Sequence, residues 1–254
     1  SLDCGLRLNF SDDFNGDAIN NEHFKTNTDN SKNSADRVSV GGGKASLSIT
    51  GSDYNSAMSG NLTSYWRYTF SADSYVELRA KLPMQEGRSN SFWAKSVKKD
   101  GILIEYDMFE TFGSTNTIQA NIHIWDENKK GTDQFHYSLD LTSQSAGNYV
   151  EANRRQHTID SSSYHTFGIR RTKNAITFYC DGEAYFTYDL NKLFENYGVP
   201  ESYRKYFDQD AYMIIGDGAL KTATAEQVSA MTKVTYDVDY VKGYYNFGSR
   251  YAAA

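Results

Sequence analysis

The sequence predicts an all-β fold, a sandwich or barrel of antiparallel strands in one domain spanning residues 1–254. Short apolar–polar alternating runs fill most of the chain, and turn clusters separate them at regular spacing. The composition agrees, with 20 Tyr and 14 Phe against 5 Met and only 2 Pro. Aromatic residues suit half-buried pleated surfaces.

In chain order the runs are "KASLSIT", "YVELRAKLP", "NSFWAKSV", "ILIEYDMFE" and "TIQANIHIW", followed by "YHTFGIRRT", "AITFYCDGEAYFTYD", "AYMIIGDG" and "VTYDVDYVKGYY". "GGG" at 41–43, "KKDG" at 98–101 and "DG" at 181–182 supply turns. Two segments read as minor helices. "DLNKLFENYG" has Leu190, Leu193 and Phe194 at helical spacing with Gly198 as its stop, and "TAEQVSAMT" starts at Thr224. Composition shows no linker, repeat or low-complexity segment, and "YAAA" reads as a frayed tail.

At 254 residues the chain is long enough to bury a large core. A formal charge of −6 gives no nucleic-acid footprint. No apolar run approaches the roughly 18 residues that span a bilayer. Cys4 and Cys180 are compatible with one disulfide or two thiols. Cys180 shares a strand face with Ile176 and Phe178, which favours a buried packing thiol. His136, His157 and His165 have no metal-ligand spacing.

The chemistry concentrates in "ILIEYDMFE". Glu105 and Asp107 share a strand face, but Glu110, five positions beyond Glu105, belongs to the other face of an unbroken strand. One β-bulge between Asp107 and Glu110 brings all three acids to one side, with Ile104, Tyr106 and one of Met108 or Phe109 turned to the core. Clustered carboxylates raise the pKa of at least one member. A protonated acid near an ionised one is the working pair of a glycosidase. Spacing alone leaves a solvated face, a calcium cluster and a catalytic trio all open.

The surrounding order of motifs resembles glycoside hydrolase family 16, a β-jelly-roll family that cuts internal bonds of β-linked polysaccharides. "LNFSDDFNGDAIN", "SGNLTS" with "SYVELRAKLP", "SFWAKS" before the acids, "SYHTFGIRRTKNAITFYCDGE" and "DVDYVKGY" carry the resemblance over nearly the whole chain. It implies a jelly roll of two antiparallel sheets with the substrate cleft on the concave face. It also implies Glu105 as nucleophile, Glu110 as general acid and base, and Asp107 as the group that orients the nucleophile. The six-residue "ExDxxE" pattern is similar to the bulged branch, which includes agarases, porphyranases, kappa-carrageenases and laminarinases, and unlike the lichenase "ExDxE" pattern.

Around the acids, Ser91, Trp93 and Lys95 share one face and Phe92 and Ala94 the other. The resemblance puts Trp93 on the cleft floor, where an indole stacks on sugar C–H faces. Trp66 is a further stacking candidate, and Arg67 beside it a ligand for a sulfate or hydroxyl. In the strand after the acids, Gln119, Asn121, His123 and Trp125 form a polar face opposite Ile118, Ala120, Ile122 and Ile124. His123 is thereby placed to hydrogen-bond Asp107 or Glu110.

The resemblance also implies a structural calcium held by backbone carbonyls and Asp239, with Asp12 or Asp13 as further candidates. Catalysis requires no cofactor. The expected partner is a polysaccharide, with no nucleic acid and no membrane-spanning segment, and the expected form is a monomer. The expected location is secreted, periplasmic or cell-surface, after removal of a signal peptide.

Laminarinase-like members carry "WPAFW", "GEIDIxE" and "LHYGG", where this chain has "GRSNSFWAKS", "ILIEYDMFE" and "NIHIWDENKKGTDQFHYSL". The differences favour a red-algal galactan such as agarose or porphyran. An endo-β-1,3-glucanase and a non-catalytic carbohydrate-binding jelly roll are the alternatives. For a sulfated substrate, Arg67, Arg88, Lys95, Lys98, Arg154 and Arg155 are the candidate cations.

Overall fold

The computed structural model describes residues 5–128, 135–138, 156–196 and 199–247. Cys4, Arg154, Arg155, Gly198 and the "YAAA" tail lie outside the described residues. The chain opens with β1 (Leu6–Asp12), β2 (Lys25–Thr26), β3 (Val38–Gly41), β4 (Lys44–Leu47) and β5 (Ile49–Thr50). Next come β6 (Met58–Ser59), β7 (Asn61–Thr63), β8 (Ser74–Lys81), β9 (Arg88–Ser96) and β10 (Ile102–Glu110). They are followed by β11 (Thr117–Asp126), β12 (Phe135–Ser138), β13 (Gln156–Thr158), β14 (His165–Arg171), β15 (Ala175–Cys180) and β16 (Glu183–Asp189). Helix α1 (Leu190–Asn196), a 3-10 helix (Glu201–Asp208), β17 (Ala211–Ala219), α2 (Ala225–Met231) and β18 (Tyr236–Asn246) complete the order.

Two eight-stranded antiparallel sheets form the sandwich. One runs β16-β15-β14-β8-β18-β4-β3, with β1 also on β18; the other runs β12-β11-β10-β9-β17-β7-β2, with β13 on β11. The period-two patterns decide which face turns inward. On β9, Phe92 and Ala94 are fully buried while Ser91, Trp93 and Lys95 are partly open. On β11 the four isoleucine and alanine positions from Ile118 to Ile124 are buried and the polar positions are not. Leu78, Ala80, Phe167, Ile169, Phe178 and Val238 meet them from the first sheet in one continuous core. Burying each large apolar side chain contributes about 1.5–3 kcal/mol.

Both helices form where the apolar spacing placed them. At α2, Thr224 and Gln227 make a reciprocal capping box, and Val228 and Met231 pack on Ile49 and Ala57. The 3-10 helix was not foreseen, although Tyr203, Tyr206 and Phe207 bury one side of it. Buried Arg171 fixes its end by donating to the carbonyls of Phe207 and Gln209 at 2.9 and 2.8 Å. Cys180 is a buried free thiol whose pKa burial pushes up to about 12, so it packs as an apolar group. No described helix is long and apolar enough to cross a membrane.

Candidate active site

The site is built on β10, where the alternation breaks. Against β11 the register runs Asp107 to Asn121 and then Glu110 to Gln119, so Met108 and Phe109 together oppose Ala120. Against β9 the shift falls between Asp107 and Phe109. Met108 and Phe109 are both buried, one more inward residue than the sequence reading allotted. Their adjacency is the reason for the bulge. Two neighbouring apolar side chains can both reach the core only if one residue is inserted in the ladder. Phe109 lies 4.4 Å from the Phe167 ring and 6.3 Å from Tyr236, which anchors it. The Met108 carbonyl accepts a short hydrogen bond from the buried hydroxyl of Tyr185, reaching across from β16.

Beyond the bulge Glu110 points back to the face that carries Glu105. Both carboxylates line one cavity of about 340 Å³, together with Trp93, Ser91, Asn61 and Gly216. Gly216 is required by close approach, since a Cβ there would sit 2.7 Å from Ser91 Oγ. A second cavity of about 350 Å³ continues past Trp93 and Glu105 to Trp125.

The three acids differ sharply in surroundings. Glu105 and Glu110 are partly open, whereas Asp107 between them is 1% exposed. The indole N–H of Trp125 donates to Glu105 Oε2 at 2.7 Å. Burial pushes the Asp107 carboxyl well above the usual carboxylate range; the charge of Glu105 and a hydrogen bond shared with it add to the shift, and Lys95 opposes it. No described side chain or amide donates a hydrogen bond to either Asp107 oxygen. His123 Nε2 sits 3.1 Å from Asp107 Oδ2, at ion-pair distance without hydrogen-bond alignment, and its ring stacks on Trp125.

Ligand atoms of Glu105, Asp107 and His123 lie within 4.8 Å of one another, the one such cluster among the described residues. Asp239 is outside it. Its carboxylate accepts from Arg79 Nη1 at 2.6 Å, while Asp12 is engaged by His23 and the Phe14 amide. A calcium cage needs several free oxygens. In this structure these two carboxylates are turned to protein donors.

The other expected residues separate. Trp93 and Trp125 join the acids. Trp66, 80% exposed with φ at 60°, stands on a tight turn at the cleft margin beside Tyr65. Arg67 lines the same margin, but its donors go to the carbonyls of Asn21 and Tyr65. Arg88 is fully buried on Asp217 and cannot meet a ligand, which corrects its candidacy as a sulfate-binding cation. Lys98 pairs with Glu127. The sequence reading missed Asn61 and Lys25, brought to the site by strand pairing over long separations, and Tyr185, which reaches Met108 across the sandwich from the opposite sheet.

Comparison with known proteins agrees with this arrangement. Residues 20–207 match the family model for glycosyl hydrolases family 16. The chain belongs to that family. The structure is similar to β-agarase B of Zobellia galactanivorans, with TM-score 0.73 and 17% identity over 95% of this chain and 94% of that one. It is similar to the catalytic domain of an endo-1,3-β-glucanase (laminarinase) of Thermotoga petrophila RKU-1, with TM-score 0.70 and 16% identity over 95% of this chain and 98% of that one. It also resembles the endo-β-1,3-glucanase of Pyrococcus furiosus, with TM-score 0.66, 20% identity and 94% of each chain covered. No curated protein sequence matches significantly. Membership of glycosyl hydrolases family 16 supports an endo-acting glycosidase, and at these identities the solved neighbours speak for the fold they share.

Proposed function

We propose that the protein is a secreted, endo-acting, retaining glycosidase that cuts internal β-linkages of a red-algal galactan of the agarose or porphyran type. The observation that carries this reading is the return of Glu110, through the bulge, to the cavity that holds Glu105. Retention needs two carboxyl groups flanking one glycosidic bond, one attacking and one passing a proton.

Glu105 is the nucleophile. The Trp125 N–H fixes one of its oxygens, so the carboxylate is oriented before substrate arrives, and Asp107, pushed towards its protonated form by burial and the Glu105 charge, lies beside it. As the glycosyl ester forms, the charge on Glu105 falls and Asp107 no longer has to share its proton. Glu110, at the far end of the trio, protonates the leaving oxygen and then takes a proton from the water that releases the sugar. Trp93 offers its indole face between the two. The galactan preference rests on the missing laminarinase motifs.

Incubation with agarose, porphyran, κ-carrageenan and laminarin, followed by reducing-end assay, product sizing and proton NMR of the first-formed anomer, tests the proposal. The expected result is mid-chain cleavage of a galactan with the β anomer appearing first. Glu105→Gln and Glu110→Gln should each lower turnover by about 10³-fold or more, as loss of a nucleophile or proton donor does, with thermal unfolding near that of the unaltered protein. Cleavage of laminarin alone would overturn the substrate, and first appearance of the α anomer the mechanism.

A further inference from the structure

From the catalytic cavity the cleft extends across β9, β17, β7 and β2 towards the sheet edge. There it opens into a cavity of about 520 Å³, a volume typical of small-ligand sites. Its walls combine three chemistries. Trp93, Tyr65 and Tyr212 give aromatic planes; Asn30, Asn33 and Asn61 give amides shared with the catalytic cavity; Lys25 and Lys95 give positive charge.

The lysines are the unexpected part. Both are partly buried. Each ammonium rests on a ring, Lys25 Nζ at 5.3 Å from the Tyr65 centroid and Lys95 Nζ at 5.0 Å from that of Trp93. Among the described residues, the lysine side chains in ion pairs are Lys44 and Lys98, not these two. Glu105 lies opposite Lys95 in register, and exposed Asp29 stands at the cavity rim. Withdrawing an ammonium from water without a close counter-ion is unfavourable. An anion supplied by the ligand offsets that cost, and the aromatic planes hold both cations ready for it.

We infer that Lys25 and Lys95 form an anion-recognising subsite, which takes an acidic substituent, a sulfate ester or a carboxylate, on a sugar stacked between Trp93 and Tyr65. This inference rests on the proposed polysaccharide cleavage and adds that the substrate is acidic. It assigns the recognition to these two lysines. Arg67 and Arg88 have other partners.

The test measures binding by titration calorimetry in a Glu105→Gln background, so that no probe is consumed. The probes are a sulfated galactan oligosaccharide, its desulfated form, and the desulfated form with primary hydroxyls oxidised to carboxylates. In low salt the favoured acidic form should bind about tenfold more tightly than the neutral one, as a charge-assisted contact provides. Lys25→Met with Lys95→Met should erase that preference, bringing the acidic and neutral affinities together. Whichever acidic arm is favoured identifies the anion.

Equal affinities for acidic and neutral probes, or a preference that survives in the double variant, would overturn the inference. If no galactan binds but laminarin does, the galactan reading is what fails. The same comparison of sulfated with plain laminarin then decides the lysine site by the same criterion. With Glu105 restored, a Lys95→Met variant whose kcat falls equally on acidic and neutral substrates would also count against the subsite.

Discussion

Two carboxylates are buried in the same sheet and are treated in opposite ways. Asp217, on β17, accepts from Arg88 through both oxygens at 2.9 and 2.8 Å and from Asn90 at 2.7 Å. Arg88 is itself completed by Gln85 and by the carbonyls of Met231 and Val234. Asp107, on β10, is as deeply buried, yet its neighbours are the Glu105 carboxylate and the His123 ring rather than a guanidinium, and its carboxyl is pushed towards the protonated form. One is a finished ion pair that ties β9 and β17 to the end of α2. The other is left electrostatically unfinished beside the acid proposed to react. Local stability and local reactivity are thus set by the partners given to the same functional group, at equal depth.

Breaking the finished pair should have the largest effect on folding. Asp217→Leu strands the Arg88 guanidinium in the sheet and should cost about 3–5 kcal/mol, the usual penalty for an uncompensated buried charge. Chemical denaturation would measure it. A loss below 1 kcal/mol would show that the Arg88 network closes without Asp217.

The unfinished carboxyl should behave the other way. Asp107→Asn keeps a donor towards Glu105 but cannot change its proton, so turnover should fall by about 10²-fold, the scale of a misplaced proton. Stability should not fall with it. Because the folded pKa is raised, the unfolded chain loses this proton first as pH rises, and the native state is progressively disfavoured from about pH 4 upward to the folded pKa. The variant's melting temperature should therefore match the unaltered protein at low pH and exceed it increasingly towards neutrality. A variant that melts lower at neutral pH would place Asp107 with Asp217, as a stabilising anion.

The smallest change tests what holds the bulge. Tyr185→Phe leaves the Met108 carbonyl without its donor and should cost about 1–3 kcal/mol. It should also lower kcat more than it raises KM, because Glu110 stands two residues beyond that carbonyl. An unaltered kcat would mean that the packing of Phe109 fixes the bulge alone.

How far the sequence could be read follows the same division. The bulge was legible because Glu110 stands five positions beyond Glu105, out of phase with a regular strand, and the faces of β9 and β11 were legible from their strict alternation. Trp125 was placed on the right face, but its bond to Glu105 depends on a cross-strand diagonal that spacing does not encode. Lys25, Tyr185 and the Arg88–Asp217 pair were invisible, since each works through a partner 40 to 129 residues away. The 3-10 helix carries an i, i+3, i+4 aromatic pattern at Tyr203, Tyr206 and Phe207 that could have revealed it. The Asp239–Arg79 contact was not legible either, because the two residues lie far apart along the chain and side by side in the sheet.

Trapping with a 2-deoxy-2-fluoro glycoside that matches the cleaved substrate, then peptide mapping by mass spectrometry, asks directly whether the bulged strand presents its first acid to the anomeric carbon. A single stable adduct on Glu105, absent from Glu105→Gln, is the predicted result. An adduct on Asp107 or Glu110, or steady turnover with no covalent species, would contradict it.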